Sequence, residues 1–319
     1  MRFALILLLA WLMLGTTPAQ AQACNVTISN INFGSIAPAT TSAAMATGSV
    51  GVTCTGLVNL PMRICVHIGT GSGGTSYAPR LLSGGASAMQ YNLFSDSAGT
   101  SIAGMRSSAY APVSIDIPLT ALTTYTTNVT LYGRVLAGQS SLVEGSYLST
   151  FSGSAQAQVT YQAYLLSNPP SCTSLSANPT AVSFTVQASV INDCIISASN
   201  IDFGIAGLLT STLTANGALR VACTNGAPYS ITLSAGTGAN ATVVNRVMTR
   251  NGASDQVRYQ LYQDPGFITP WGDGTSGTSS YAGVGTGSAQ NVPVYGRVLP
   301  QSSQPAGTYI DTVIATITY

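Results

Sequence analysis

The chain has 319 residues, 45% hydrophobic but only 6% charged, with ten arginines, no lysine, nine acids and one histidine. Charge this sparse and balanced offers no basic surface to nucleic acid or an anionic membrane. A lone His67 and nine scattered carboxylates form no catalytic or metal-binding set, and no G-x-S-x-G, P-loop or zinc spacing occurs. The sequence therefore reads as a non-enzymatic protein with no cofactor, no metal and no nucleic-acid partner.

In chain order, the first element is an export signal over residues 1–23. Arg2 gives the positive start, Leu5 to Leu14 the apolar run, and Ala21-Gln22-Ala23 an A-x-A cleavage site. The run is short for a bilayer span. An acylated Cys24 is the alternative, although Ala21 stands where a lipoprotein signal carries a larger aliphatic residue. About 296 residues remain, enough for two ordinary domains. They are rich in Gly, Ser, Thr and Ala, with Val, Ile and Tyr in alternating stretches, which predicts short strands joined by turns, an all-β fold.

The chain then repeats itself. Cys24 to Gly34 (CNVTISNINFG) matches Cys194 to Gly204 (CIISASNIDFG), and Val52-Thr53-Cys54-Thr55 matches Val221-Ala222-Cys223-Thr224. Tyr91 to Phe94 matches Tyr259 to Tyr262, and Leu131-Tyr132-Gly133-Arg134-Val135-Leu136 matches Val294-Tyr295-Gly296-Arg297-Val298-Leu299. Gly145-Ser146-Tyr147 matches Gly307-Thr308-Tyr309, and Val159-Thr160-Tyr161 matches Ile317-Thr318-Tyr319. The order is kept and the period exceeds that of solenoid repeats, so the chain holds two homologous domains, 24–191 and 192–319. The repeat pairs Cys24 with Cys54 and Cys194 with Cys223, and elimination pairs Cys65 with Cys172. An oxidising compartment permits these bonds, and closing the two short loops stabilises by roughly 3–4 kcal/mol each.

The Cys…Phe-Gly…Cys opening, the Tyr-Gly-Arg-Val motif and the closing Thr-Tyr strand resemble the spore coat protein U domain, which builds the subunits of archaic (Csu-type) chaperone–usher pili. The resemblance covers nearly all of the chain after the signal, twice. It implies two tandem immunoglobulin-like β-sandwiches, each short of its last strand. It also implies a periplasmic pilus chaperone, an outer-membrane usher and a neighbouring pilin whose N-terminal donor strand fills the gap. A two-domain member is similar to a tip adhesin: exported through the periplasm, placed at the cell surface on a pilus tip, and serving attachment and biofilm formation. The alternative is a structural coat or shaft protein.

The strand count adds to this. Val182-Ser183-Phe184-Thr185-Val186-Gln187-Ala188-Ser189-Val190 alternates apolar and small polar residues, the pattern of a strand with one buried face. It precedes Cys194 and so lies outside the repeated unit. We expect Val182, Phe184, Val186, Ala188 and Val190 to complete domain one in cis, antiparallel to the strand around Val159. Nothing follows Tyr319, so domain two is expected to lack that strand and to accept one from another chain. A chain beginning near Cys24 has no donor arm of its own, which suits the end of a filament.

In an immunoglobulin-like order the loop after the second strand and the loop before the last share a pole. In domain one these are Gly56 to Met62 and Leu165 to Asn178. Leu57, Val58, Leu60, Met62, Leu165, Leu166 and Leu175 are the candidate contacts with a hydrophobic or host surface, on loops stapled by Cys65–Cys172. A sugar-binding tip would instead show an aromatic and polar groove. Met105 and Tyr110 suggest a third apolar loop of unassigned position. Matched Arg134 and Arg297 point to a shared structural role, as does Trp271 to a core or turn.

Overall fold

A computed structural model describes residues 23–38, 43–56, 59–118, 123–165 and 168–319. The export signal, Leu57, Val58 and Leu166 lie outside these. The described residues form strands and connections only, arranged as two tandem β-sandwiches with separate cores.

The first sandwich contains β1 (Ala23–Ile28), β2 (Ile31–Ile36), β3 (Met45–Gly56), β4 (Met62–Ile68), β5 (Arg80–Gly84) and β6 (Ser87–Phe94). It continues with β7 (Val113–Ile117), β8 (Thr123–Val135), β9 (Gly145–Phe151), β10 (Ala157–Ala163), β11 (Thr180–Ala181) and β12 (Phe184–Val190). One sheet runs β1-β3-β8-β6-β5-β9-β12-β2 and the facing one β11-β10-β4-β7. Inward residues alternate along the strands, as period-2 geometry requires: Ile64, Val66 and Ile68 on β4 meet Val50, Val52, Leu82, Met89 and Leu93 in one core.

The second sandwich repeats the plan with β13 (Cys194–Ala198), β14 (Leu213–Cys223), β15 (Pro228–Leu233), β16 (Arg246–Arg250), β17 (Gln256–Tyr262), β18 (Tyr281–Val284), β19 (Gln290–Val298), β20 (Tyr309–Ile310) and β21 (Ala315–Thr318). Its sheets run β13-β14-β19-β17-β16-β20 and β18-β15-β21. Three residues, 191–193, join β12 to β13. Beside them Asn192 Nδ2 donates to Glu144 (2.9 Å), Asn225 Nδ2 to the Ser141 carbonyl (3.1 Å) and Thr224 Oγ1 to the Ile191 carbonyl (3.2 Å).

The disulfides are Cys24–Cys54, Cys65–Cys172 and Cys194–Cys223. The first and third link directly opposed residues of β1/β3 and β13/β14. The repeated motifs also meet in space. A side chain on Gly133 would collide with the Phe33 ring at 2.8 Å, and one on Gly296 with Phe203 at the same distance. The glycine of Tyr-Gly-Arg is therefore the seat of the phenylalanine of Phe-Gly. The motif arginines hold a neighbouring loop: Arg134 Nη2 donates to the Ala98 carbonyl (2.9 Å), while Arg297 donates to Tyr262 Oη (2.8 Å) and lies over the Phe267 ring. Trp271 is fully buried and donates from Nε1 to the Ile231 carbonyl (3.0 Å).

One expected pairing is corrected. β12 does not lie beside the strand around Val159. It pairs antiparallel with β9 and parallel with β2, in the opposite sheet. The residues that meet Val159 and Gln158 are Thr180 and Ala181 of β11. Between β9 and β2 the strand gains hydrogen bonds on both edges and buries Phe184, Val186, Ala188 and Val190 together, whereas the β10 edge offers partners on one side. Val182 falls before the strand and is half-buried.

Candidate functional site

The second sandwich has an open slot where β12 sits in the first. In the first sandwich the order β9-β12-β2 closes the large sheet. In the second, β20 pairs with β16 through Thr249↔Ile310 and Arg250↔Tyr309, and no described strand lies on its other edge. The stretch matching β2 nevertheless follows the same path. Ile201 packs against Gly217 as Ile31 does against Gly48, and Phe203 against Gly296 as Phe33 does against Gly133. The two walls of the slot are thus in place and one strand is missing between them.

Burial at matched positions shows the consequence. Val26, Ile28, Ile31, Phe33, Tyr147 and Val159 are all buried. Their counterparts Ile196, Ile201, Phe203, Tyr309 and Ile317 are only half-buried, and Ala198 is exposed. An open cleft of about 220 Å³ is lined by Ile196, Ile201, Leu219, Leu261, Val294 and Val313. Ile205, Ile310 and Ile314, in the segments that follow the Ile201 stretch and Tyr309, are exposed. An apolar floor beside unpaired backbone is the surface that strand addition satisfies, through main-chain bonds and alternate side-chain pockets.

The floor is braced from below. Arg246 is fully buried, donating to the carbonyls of Leu233 (3.2 Å), Ser234 (2.9 Å) and Trp271 (2.9 Å) and to Gln260. Arg80 does the same in the first sandwich, to Gly69 (2.8 Å), Ile68 (3.2 Å) and Ala103 (2.5 Å). Burial pulls the Arg80 pKa down to about 10, so it stays charged at neutral pH. Asp311, on the slot wall, accepts from Tyr259 Oη (2.7 Å) and Thr237 N (2.7 Å). Burial, then this bond to Asp311, pushes the Tyr259 hydroxyl far above its ordinary range.

At the far pole of the first sandwich, away from the second, the structure gathers the ends of three connections. Gly56 faces Thr123, Met62 faces both Ile117 and Ala163, and Tyr164 N donates to the Pro61 carbonyl (3.0 Å). The sequence reading missed the third connection, 118–122, although Leu119 and Leu122 marked it as apolar; both lie outside the described residues. It also missed the polar clamp beneath. Arg63 grips Asp116 with two bonds (2.6 and 2.7 Å) and donates to the Pro170 carbonyl (3.3 Å), and Tyr164 Oη donates to Asp116 (3.4 Å).

Of the candidate contact residues, Leu165 is 70% exposed and Leu60 half-buried. Met62 and Leu175 are buried, which removes them as surface contacts. Met62 is the first inward residue of β4, and Leu175 covers the Cys65–Cys172 bond on the outer face of that strand. Met105 and Tyr110 do not belong to this pole: Gly104, which bonds to Ile68 and Ala111, places them at the other end of β4.

His67 lies two residues from Cys65 on that outer face, fully buried. Thr160 Oγ1 donates to the Leu175 carbonyl (3.3 Å), so His67 Nε2–H is the donor to Thr160 (2.9 Å). Burial first, then Arg106, lowers the His67 pKa from 6.5 to about 4. Because the folded pKa lies below the unfolded one, the unfolded chain takes up the proton first as pH falls. Stability is therefore lost between about pH 6.5 and pH 4, by about 3 kcal/mol at the limit. Denaturant unfolding at pH 7 and pH 4 is expected to show this loss, and His67→Gln to remove that share of it. An unchanged pH dependence in the variant would show that His67 does not titrate this way.

The Spore Coat Protein U domain model matches residues 10–153 and 180–316. A curated relative, "Protein U" of Myxococcus xanthus, is 40% identical over 107 residues, which is 32% of this chain and 59% of that protein. The alignment thus spans less than two thirds of the relative. Among solved structures, the CsuC–CsuE chaperone–tip adhesion subunit pre-assembly complex from archaic chaperone–usher Csu pili of Acinetobacter baumannii shares the fold. Its TM-score is 0.56 at 16% identity, over 93% of this chain and 100% of that one.

Proposed function

Since the chain belongs to the spore coat protein U domain family, we propose that it is the tip subunit of a surface fibre assembled by donor-strand complementation. Residues 24–191 form the distal domain, in which β12 supplies the completing strand in cis. Residues 192–319 form a domain that takes its strand from a periplasmic chaperone and then from the N-terminal arm of the next subunit, delivered at an outer-membrane usher. The observation that carries this is the unpaired edge of β20 together with the open apolar cleft, where β12 closes the sheet in the first sandwich. The fold shared with a tip adhesion subunit complex supports it. A subunit whose first groove is filled internally accepts a neighbour on one side only and turns its other pole outward. That pole carries Leu165 and Leu60 with, in sequence, Leu57, Val58 and Leu166, and serves adhesion to hydrophobic surfaces and biofilm formation.

The test is to express residues 24–191 and 192–319 separately in the periplasm and record thermal unfolding. The first is expected to unfold cooperatively alone. The second is expected to fold only with a chaperone or a donor-strand peptide supplied. A sharp, unaided transition of the second half would overturn the reading in favour of a free-standing coat protein, the role that the family's description suggests.

A further inference from the structure

The first sandwich shows how its strand arrives. Before entering the slot, the segment leading to β12 bonds along the outer edge of β10, in the other sheet. Tyr161 N donates to the Ala177 carbonyl (3.1 Å), Asn178 Nδ2 to the Tyr161 carbonyl (3.0 Å), and Val182 N to the Ala157 carbonyl (3.1 Å). Thr180 and Ala181 form β11 on Val159 and Gln158. Asn178 takes a left-handed conformation (φ 49°), which bends the chain onto that edge. The segment Ala177–Val190 thus stitches both sheets: its first half caps β10 and its second half lies between β9 and β2.

The second sandwich presents the same two vacancies. β21 matches β10: Ala315 and Ile317 face Leu233 and Ile231 as Ala157 and Val159 face Ile68 and Val66. β21 ends the order β18-β15-β21, with no described strand on its outer edge, and Ile317 is half-buried where Val159 is 1% exposed. The connection between the strands that bound the slot is shorter here. Tyr309 to Ala315 replaces Tyr147 to Ala157, so the β20 edge available to a donor is briefer than β9. A strand held only by the slot would have less backbone to pair with.

Resting on the strand-accepting reading above, we propose that the arm received by the second sandwich is a two-sheet arm. It is an extended N-terminal segment of another subunit, as long as Ala177–Val190, whose leading residues pair with the outer edge of β21 before it crosses into the slot antiparallel to β20. Edge pairing adds hydrogen bonds that the short β20 cannot supply, and it covers Ile317.

Three forms of the full chain test this. One is unextended. One carries, after Tyr319, a copy of residues 162–190 with Cys172→Ser in the copy. The third carries the same tail with the copy of Ala177–Val182 replaced by a Gly/Ser stretch of equal length. An attached strand acts at high effective concentration, so weak pairing is visible. Thermal unfolding of the second sandwich is the readout. The full tail is expected to give the second sandwich a cooperative transition that the unextended chain lacks, with a midpoint about 5 °C above that given by the Gly/Ser tail. Equal gains from both tails would overturn the two-sheet arm and leave the slot intact as the acceptor. No gain from either tail would overturn the strand-accepting reading, and the arm with it.

Discussion

Val186→Asp is expected to abolish the cooperative unfolding transition of the first sandwich. Val186 is fully buried and pairs with Ser149 of β9 on one side and Ile31 of β2 on the other. A carboxylate there would lie in the apolar core between Phe184 and Ala188. Burying such a group costs at least about 4–5 kcal/mol even after its pKa adjusts, a large part of the roughly 5–15 kcal/mol that holds a domain. The strand would leave its slot and expose the floor that the second sandwich already exposes. Gln187→Asp, one residue on and solvent-facing, is expected to leave the midpoint within a degree or two. Scanning calorimetry of the two variants checks this. A Val186→Asp chain that keeps the wild-type midpoint would mean that β12 does not hold the first sandwich together.

Arg80→Leu is expected to destabilise the first sandwich by roughly 4 kcal/mol, about 12 °C in its midpoint. The guanidinium is the partner of the buried Ile68, Gly69 and Ala103 carbonyls. Leucine fills the volume but leaves all three without a donor, and each orphaned carbonyl costs about 1–3 kcal/mol. Arg80→Lys keeps a charge but loses the planar fork, and a smaller loss is expected. Arg246→Leu, made in the chain that carries the donor tail after Tyr319, should act equally on the second sandwich and leave the first untouched. Resolved calorimetric transitions separate the two, and a neutral Arg80→Leu would show that the carbonyls find other partners.

These arginines also mark where reading the sequence stopped short. They stand at matched places ahead of Tyr91 and Tyr259, as visible in the repeat as the Tyr-Gly-Arg arginines, yet nothing local says that a lone arginine is buried. The repeat did reveal the disulfides of β1/β3 and β13/β14, because separations of 30 and 29 residues on homologous strands leave little choice. The alternation from Val182 to Val190 revealed a strand with a buried face. It could not reveal the neighbour, since period 2 states which side chains point inward and says nothing of which edge is beside them. Loop leucines carry no period at all. Leu165 and Leu175 are alike in the sequence, and only the disulfide at Cys172 determines that Leu175 folds back onto β4. The clamp of Arg63, Asp116 and Tyr164 joins residues far apart in the chain, and its geometry needs the sheet register to appear.

The three-residue passage from β12 to β13 has a mechanical meaning. If the distal pole is anchored and the second sandwich is pulled, tension enters the first sandwich at Val190 and runs along β12. That strand is bonded to β9 on one side and β2 on the other, with its bonds lying across the direction of pull. Such bonds are loaded in shear and must fail together, whereas an edge strand peeled sideways loses them one at a time. The segment that completes the first sandwich is thereby also its tether, and the load meets the strand in its most resistant orientation.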